Sequence, residues 1–277
     1  MSNCNNCPSK QSCSKSAEGC TIENNPYNNI SKVIGVMSGK GGVGKSTISV
    51  LIAKELRQKG YKVGVLDADI TGPSIPRLLD IRDAEVNSNG KFLYPAETKD
   101  GIKVMSFNLL MEDENQPVIW RGPIVSTTVK QFWTDVLWGE LDYLIIDMPP
   151  GTGDVALTVM DSIPINGLVM VSVPQDMVSM IVAKAVNMAR KMEIDVLGVV
   201  QNMSYVLCPN CDEKIRMYDA ENIDKFLEEM DLKLLGEIPM VKEISNISNN
   251  SYENSKDAVD EIFSPILENI IETLKEK

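Results

Sequence analysis

The chain has 277 residues, 43% of them apolar, with a formal net charge of −12 and no histidine. That charge argues against nucleic acid and anionic membranes as partners. The missing imidazole rules out histidine catalysis and histidine metal ligands. No 18-residue apolar run offers a transmembrane helix. The opening "MSNCNNCPSK" has no apolar stretch of the secretory type, so a cytoplasmic location is expected. Six cysteines in a reducing compartment read as metal ligands or redox thiols rather than disulfides.

In chain order, residues 1–31 are rich in Asn, Ser, Lys and Cys and poor in large apolar residues. They cannot bury enough surface to fold alone, so an extension is expected that is either disordered or ordered by a metal. A single domain is expected over 32–277. "KVIGVM" (32–37) reads as a buried strand. "STISVLIAKELRQKG" (46–60) reads as a helix with Ile48, Leu51, Ile52 and Leu56 on one face and Gly60 at its end. Buried strands follow at 62–69 and 102–107, a helix at 123–138, and a strand from 142 that runs into the loop "MPPGTGD". Further strands are expected at 167–174, 196–204 and 234–240, with a helix at about 177–192. Residues 256–277 carry Val259, Ile262, Phe263, Ile266, Ile270 and Leu274 at helical spacing, and Pro265 predicts a kink or a later start. Strands apolar on both faces, alternating with helices, predict an α/β fold: a doubly wound, mainly parallel sheet with helices on both faces.

"SGKGGVGKST" lies between the first strand and the first helix and fits G-x-x-x-x-G-K-[ST] through Gly39, Gly44, Lys45 and Ser46. Such a P-loop turns backbone N–H groups inward around phosphate oxygens, and the helix N-terminus behind it adds positive potential. Gly39, Lys40, Gly41, Gly42, Val43, Gly44, Lys45, Ser46 and Thr47 are therefore the candidate ATP cradle. Lys45 is expected on the terminal phosphates and Ser46 on Mg²⁺. Asp67 and Asp69 end the second strand, and Asp147 ends the strand at "YLII". Carboxylates at that sheet edge can hold Mg²⁺, usually through water.

Lys40 exceeds what a plain P-loop requires. "KGGVGKST" resembles the deviant Walker A motif of the MinD, ParA and nitrogenase-reductase class of P-loop ATPases. The resemblance implies that Lys40 reaches the nucleotide of a partner subunit in a homodimer. It also implies that Asp69 positions the attacking water and that Asn202, after "VLGVVQ", reads the adenine. Lys40, Lys45, Asp69 and Asp147 are thus the expected catalytic set.

Cys208 and Cys211 form C-x2-C, and Cys4, Cys7, Cys13 and Cys20 read C-x2-C-x5-C-x6-C. Spacing alone leaves zinc, redox and iron–sulfur readings open. Two thiolates do not complete a tetrahedral site, but a two-fold dimer supplies four. "DADITGPSIP", "WRGP", "DMPPGTGD" and "QNMSYVLCPNC" together with the P-loop closely resemble the Mrp/ApbC family of iron–sulfur cluster carrier ATPases, over about residues 30–275. That resemblance implies a [4Fe–4S] cluster bridged by Cys208 and Cys211 of two subunits and passed to apo iron–sulfur proteins. "CNNCPSKQSC" resembles the N-terminal cluster motif of the nucleotide-binding scaffold of eukaryotic cytosolic iron–sulfur assembly. That motif's first cysteine lies further upstream, and Cys20 is the candidate replacement. Three other readings compete. A MinD- or ParA-type positioning ATPase would need a basic helix or surface, whereas residues 256–277 hold three Lys against six Asp or Glu. A zinc-binding P-loop ATPase would use the same thiols. A nitrogenase-reductase-like electron-transfer ATPase would need a cysteine near the second acidic loop, and none lies between Cys20 and Cys208.

Overall fold

The computed structural model describes residues 25–276 apart from 71, 73, 112–121, 178–179, 212, 219, 246 and 248–250. The expectations on Cys4, Cys7, Cys13 and Cys20, and on Trp120 and Arg121 of the "WRGP" motif, lie outside the described residues.

Eight strands form one sheet: β1 (Asn29–Ser38), β2 (Val63–Asp67), β5 (Ala96–Glu97), β6 (Lys103–Met105), β7 (Glu140–Asp147), β8 (Gly167–Ser172), β9 (Val196–Gln201) and β12 (Leu234–Glu237). Their order is β12-β9-β8-β1-β7-β2-β6-β5, parallel throughout except for β5 against β6. Two short hairpins stand apart, β3 (Asn87–Ser88) with β4 (Leu93–Tyr94) and β10 (Val206–Leu207) with β11 (Lys214–Ile215). The helices are α1 (Lys45–Gln58), α2 (Ile75–Leu78), α3 (Gly122–Thr134), α4 (Asp154–Ser162), α5 (Pro174–Met177), α6 (Met180–Lys191), α7 (Ala220–Glu229), α8 (Lys242–Ser245) and α9 (Ser251–Glu276).

The period-2 alternation of each strand divides the core. Ile34, Val36, Val65, Ile145 and Val169 face one way, onto α1, α2, α8 and α9. Val33, Met37, Leu66, Ile146 and Met170 face the other, onto α3, α4, α6 and α7. Both faces are covered, which is why these strands read as apolar without interruption. From the central β1 the chain crosses to β2, returns to fill the gap with β7, then crosses β1 to β8. The C-terminal ends of β1, β2 and β7 therefore share one edge at the point where strand order reverses, the place such sheets bind ligands. Register fixes the details, pairing Val36 with Asp147 and Asp67 with Asp147.

Several expected boundaries move. β1 starts at Asn29, ahead of the expected 31/32 boundary, and Asn28 ties the segment down by donating its side-chain N–H to the Val136 carbonyl and accepting from the Gly139 N–H. The helix expected at about 177–192 is described as α6 from Met180, with α5 ahead of it over Pro174–Met177, and Met180 is exposed. α9 starts at Ser251, earlier than residue 256, and runs through Pro265 rather than starting after it. Proline removes one backbone bond. Burial of Phe263, Ile266, Leu267 and Ile270, each worth about 1.5–3 kcal/mol, offsets that loss.

The α1–α9 contact holds one acid cluster. Glu55 is buried and accepts from the Ser264 hydroxyl at 3.0 Å, and Asp260 of α9 lies beside it. Glu55 Oε1 and Asp260 Oδ1 have no hydrogen-bond partner among the described residues. Burial, reinforced by Asp260, pushes the Glu55 carboxyl up to about 7, against the pull of Ser264 and Lys59.

Candidate functional site

The chain leaves β1 at Ser38, whose hydroxyl donates to the Lys40 carbonyl at 2.9 Å, and enters α1 at Lys45. Gly42 and Gly44 take φ values of +80° and +85°, in the left-handed region that suits glycine. Gly44 has a second reason: a Cβ there would stand 2.2 Å from the Asn202 amide nitrogen. No acidic residue occupies the first turn of α1, which leaves its positive end for an outside anion.

Behind the loop, Lys45 is buried and its Nζ lies 2.8 Å from Asp147 Oδ2 and 3.8 Å from Asp69 Oδ2. The Ser46 hydroxyl donates to Asp147 Oδ2 at 2.6 Å, and the Ser49 hydroxyl donates to Asp147 Oδ1 at 2.7 Å. Asp67 is fully buried, accepts from the Ser106 hydroxyl at 3.0 Å, and receives the Asp69 backbone N–H on its other oxygen. Burial first, and the neighbouring Asp147 charge second, push Asp67 up to about 8. The ammonium of Lys45 lies directly against Asp147. The centre presents the Lys45 ammonium, the Ser46 and Ser49 hydroxyls and hard carboxylate oxygens beneath the glycine-rich loop. That donor set suits a phosphate chain with a divalent cation.

A cavity of about 260 Å³ opens beside the loop, lined by Lys40, Gly41, Gly42, Val43, Val173, Pro174, Gln175, Met203, Tyr218 and Met240. Asn202 is buried at its back and donates its side-chain N–H to the Val43 carbonyl at 2.9 Å. Lys40 lies on the cavity wall.

The C-x2-C pair sits elsewhere. Cys208 and Cys211 occupy the turn of the β10–β11 hairpin, which leaves the C-terminal end of β9 and so belongs to the same sheet edge as the P-loop. The Cys208 N–H donates to the Glu213 carbonyl at 2.9 Å and closes a tight knuckle. Both thiols are free, and Cys211 is exposed. Hydrogen bonds from the Asn210 backbone and then the Cys211 side chain lower Cys208 from the ordinary thiol range, which favours the thiolate. Among the described residues no group of three or more acidic or cysteine side chains is arranged to hold a metal.

The structure therefore brings Lys45, Ser46, Asp69 and Asp147 together, puts Asn202 behind the loop, and keeps Cys208 and Cys211 on a separate exposed knuckle. Sequence reading did not single out Ser49, Ser106, Gln175, Tyr218 or Arg216. Ser49 lies one helical turn past Ser46 and could have been found from that spacing. The others are joined to the site only by the fold.

A strand–P-loop–helix flanked by strand-end acids defines a P-loop NTPase. Within that class, residues 29–275 match the ParA family model described as "NUBPL iron-transfer P-loop NTPase", and the chain belongs to this family. It is 47% identical to a protein of Clostridium perfringens named iron-sulfur cluster carrier protein, over 98% of this chain and 100% of that one. A protein of the same name from Methanocaldococcus jannaschii is 43% identical over 86% of this chain and 83% of its own length. The nucleotide-binding protein of Archaeoglobus fulgidus, solved in complex with ADP, superposes with a TM-score of 0.70 at 41% identity, covering 79% of this chain and 86% of that one. The cell division ATPase MinD of Pyrococcus furiosus shares the fold, with a TM-score of 0.58 at 20% identity over 87% of this chain and 98% of its own.

Proposed function

We propose that this chain is an ATP-hydrolysing carrier that holds a [4Fe–4S] cluster as cargo and hands it to apo iron–sulfur proteins. One observation carries the reading. A buried phosphate centre and an exposed thiol pair share one sheet edge while remaining separate sites.

In this reading the N–H groups of Gly39–Thr47 cradle the phosphates. Lys45 holds the terminal phosphate, and Ser46 and Asp147 hold Mg²⁺. Their two oxygens stand 2.6 Å apart and are of the hard type that this cation takes. When bound, Mg²⁺ neutralises phosphate charge and fixes the phosphoryl group. Asp69, at the open side of the centre, orients the attacking water. Asn202 reaches the adenine from behind the loop, and the 260 Å³ cavity receives the base. Lys40 serves the partner subunit's nucleotide.

Cys208 and Cys211 grip the cluster jointly with the same pair of a second copy. The knuckle's exposure and its lowered thiol support that role. Residues ahead of β1 act as an extension to the ATPase domain, and Cys4, Cys7, Cys13 and Cys20 supply a further iron–sulfur or zinc site. The protein works in the cytoplasm as a homodimer with client apo-proteins, without nucleic acid or membrane. A positioning-ATPase reading finds less support, because the apolar stripe of α9 is already committed to the core through Val259, Phe263, Ile266, Leu267, Ile270 and Leu274. None of the described helices is long and apolar enough to cross a membrane.

Anaerobic reconstitution of the full chain, with Cys208→Ala and Cys211→Ala introduced together, tests this assignment. The variant is expected to lose about two Fe per chain, half of a four-iron cluster shared by two chains, and to keep wild-type ADP affinity. A variant that retains all its iron defeats the assignment of these cysteines.

A further inference from the structure

The cysteine hairpin has almost no core of its own. Its strands are two residues each, Val206, Leu207 and Ile215 are exposed, and Met217 is 74% exposed. Something other than apolar burial must set its direction. Arg216, the residue after β11, does so. Its guanidinium forks onto both carboxylate oxygens of Glu237 at the end of β12, with Nη2 to Oε2 at 2.7 Å. A forked arginine–carboxylate pair fixes orientation as well as distance. The Ser204 hydroxyl donates to the same carboxylate at 2.6 Å, and Arg216 and Lys214 lie over the ring of buried Tyr205.

The groups on the other end of these contacts belong to the nucleotide cavity. Ser204 lies two residues beyond Asn202, which holds the P-loop carbonyl of Val43, and one beyond Met203, which lines the cavity. Glu237 lies three residues before Met240, which also lines the cavity, and the Met240 N–H donates to the Tyr205 carbonyl at 2.8 Å. Two residues past Arg216, Tyr218 donates its hydroxyl to Gln175 Oε1 at 2.8 Å, and both side chains line the same cavity. The arm that leads away from Cys211 is therefore clamped at Arg216 and then becomes cavity wall at Tyr218.

We propose that Arg216, through its fork on Glu237, is a positioning residue that makes the Cys208–Cys211 knuckle respond to occupancy of the nucleotide cavity. A nucleotide that shifts Met203, Tyr218 or Met240 moves the Ser204–Glu237–Arg216 clamp, and the clamp moves the knuckle. The inference rests on the reading that these thiols hold the cargo, but the linkage itself can be read without cargo. Because coupling is reciprocal, the factor by which nucleotide changes the knuckle's affinity for its ligand equals the factor by which that ligand changes nucleotide affinity.

The test uses the full-length apo-protein. Alkylation rates of Cys208 and Cys211 by iodoacetamide are followed by peptide mass spectrometry, with and without saturating MgADP. The wild type is expected to change rate about five-fold or more on MgADP addition, within the 5–150-fold range typical of site coupling. Arg216→Gln is expected to bring that ratio to about one while the MgADP Kd stays within about two-fold. Arg216→Glu combined with Glu237→Arg, which restores the pair with its charges exchanged, is expected to recover part of the ratio. A ratio in Arg216→Gln equal to that of the wild type overturns the proposal, as does a wild-type rate that ignores MgADP. Iron uptake by the same proteins separates the two ideas. A wild type that takes up no iron at Cys208 and Cys211 defeats the carrier reading, while the thiol ratios still decide whether Arg216 links the sites.

Discussion

The two ends of the proposed reaction are built in opposite ways. The phosphate centre is buried and cross-braced: Lys45, Ser46 and Ser49 converge on Asp147, and strand register sets Asp147 beside Asp67. The cysteine knuckle is exposed and held by one clamp from outside. The first must hold a charged ligand in fixed geometry, where small displacements are costly. In the proposed function the second accepts and releases a bulky cargo, a task suited to segments of low local stability. Rigidity at one site and freedom at the other therefore follow from what each handles, and substitutions should separate them.

The sharpest break comes from Lys45→Ala. It removes the ammonium that balances buried Asp147, so it should cost about 3 kcal/mol in the apo-protein, or a Tm drop of roughly 10 °C. MgADP affinity should fall by more than about 100-fold, since a charged phosphate contact is lost in a buried site. Under the same calorimetry, Cys208→Ala with Cys211→Ala should leave stability within about 0.5 kcal/mol. Equal losses at the two sites would erase the contrast.

A smaller effect sharpens it, because α1 connects the phosphate centre to the Glu55–Asp260 contact on α9. The folded chain holds a proton on Glu55 up to about pH 7, whereas the unfolded chain gives it up near its ordinary value of 4.5. The native state thus binds more protons in that window, and stability falls as pH rises through it. Glu55→Gln removes this slope and places an amide donor beside Asp260. Urea melts should show the variant gaining about 2 kcal/mol on wild type between pH 5 and pH 8. Parallel curves for the two proteins would contradict the upward shift of Glu55.

The same contrast explains what the sequence revealed. The P-loop and its acids were legible because each is local: ten residues with a fixed spacing, and acids directly after apolar strands. The doubly wound sheet followed from strands apolar on both faces. α9 begins ahead of residue 256 and, of the two outcomes Pro265 left open, does not start after it, since packing against α1, β9 and β12 outweighs a single lost backbone bond. The clamp was illegible for a different reason. Arg216 and Glu237 lie 21 residues apart, and Tyr218 and Gln175 lie 43 apart. No spacing rule links a hairpin arm to the end of a distant strand, so only the fold shows that the thiol loop and the cavity share a wall.

Native mass spectrometry of the anaerobically reconstituted protein tests the central claim most directly. The expected species is two chains bound to one four-iron cluster at the Cys208–Cys211 pairs, absent when both cysteines are replaced by alanine. A single chain carrying an intact cluster on those cysteines would contradict it.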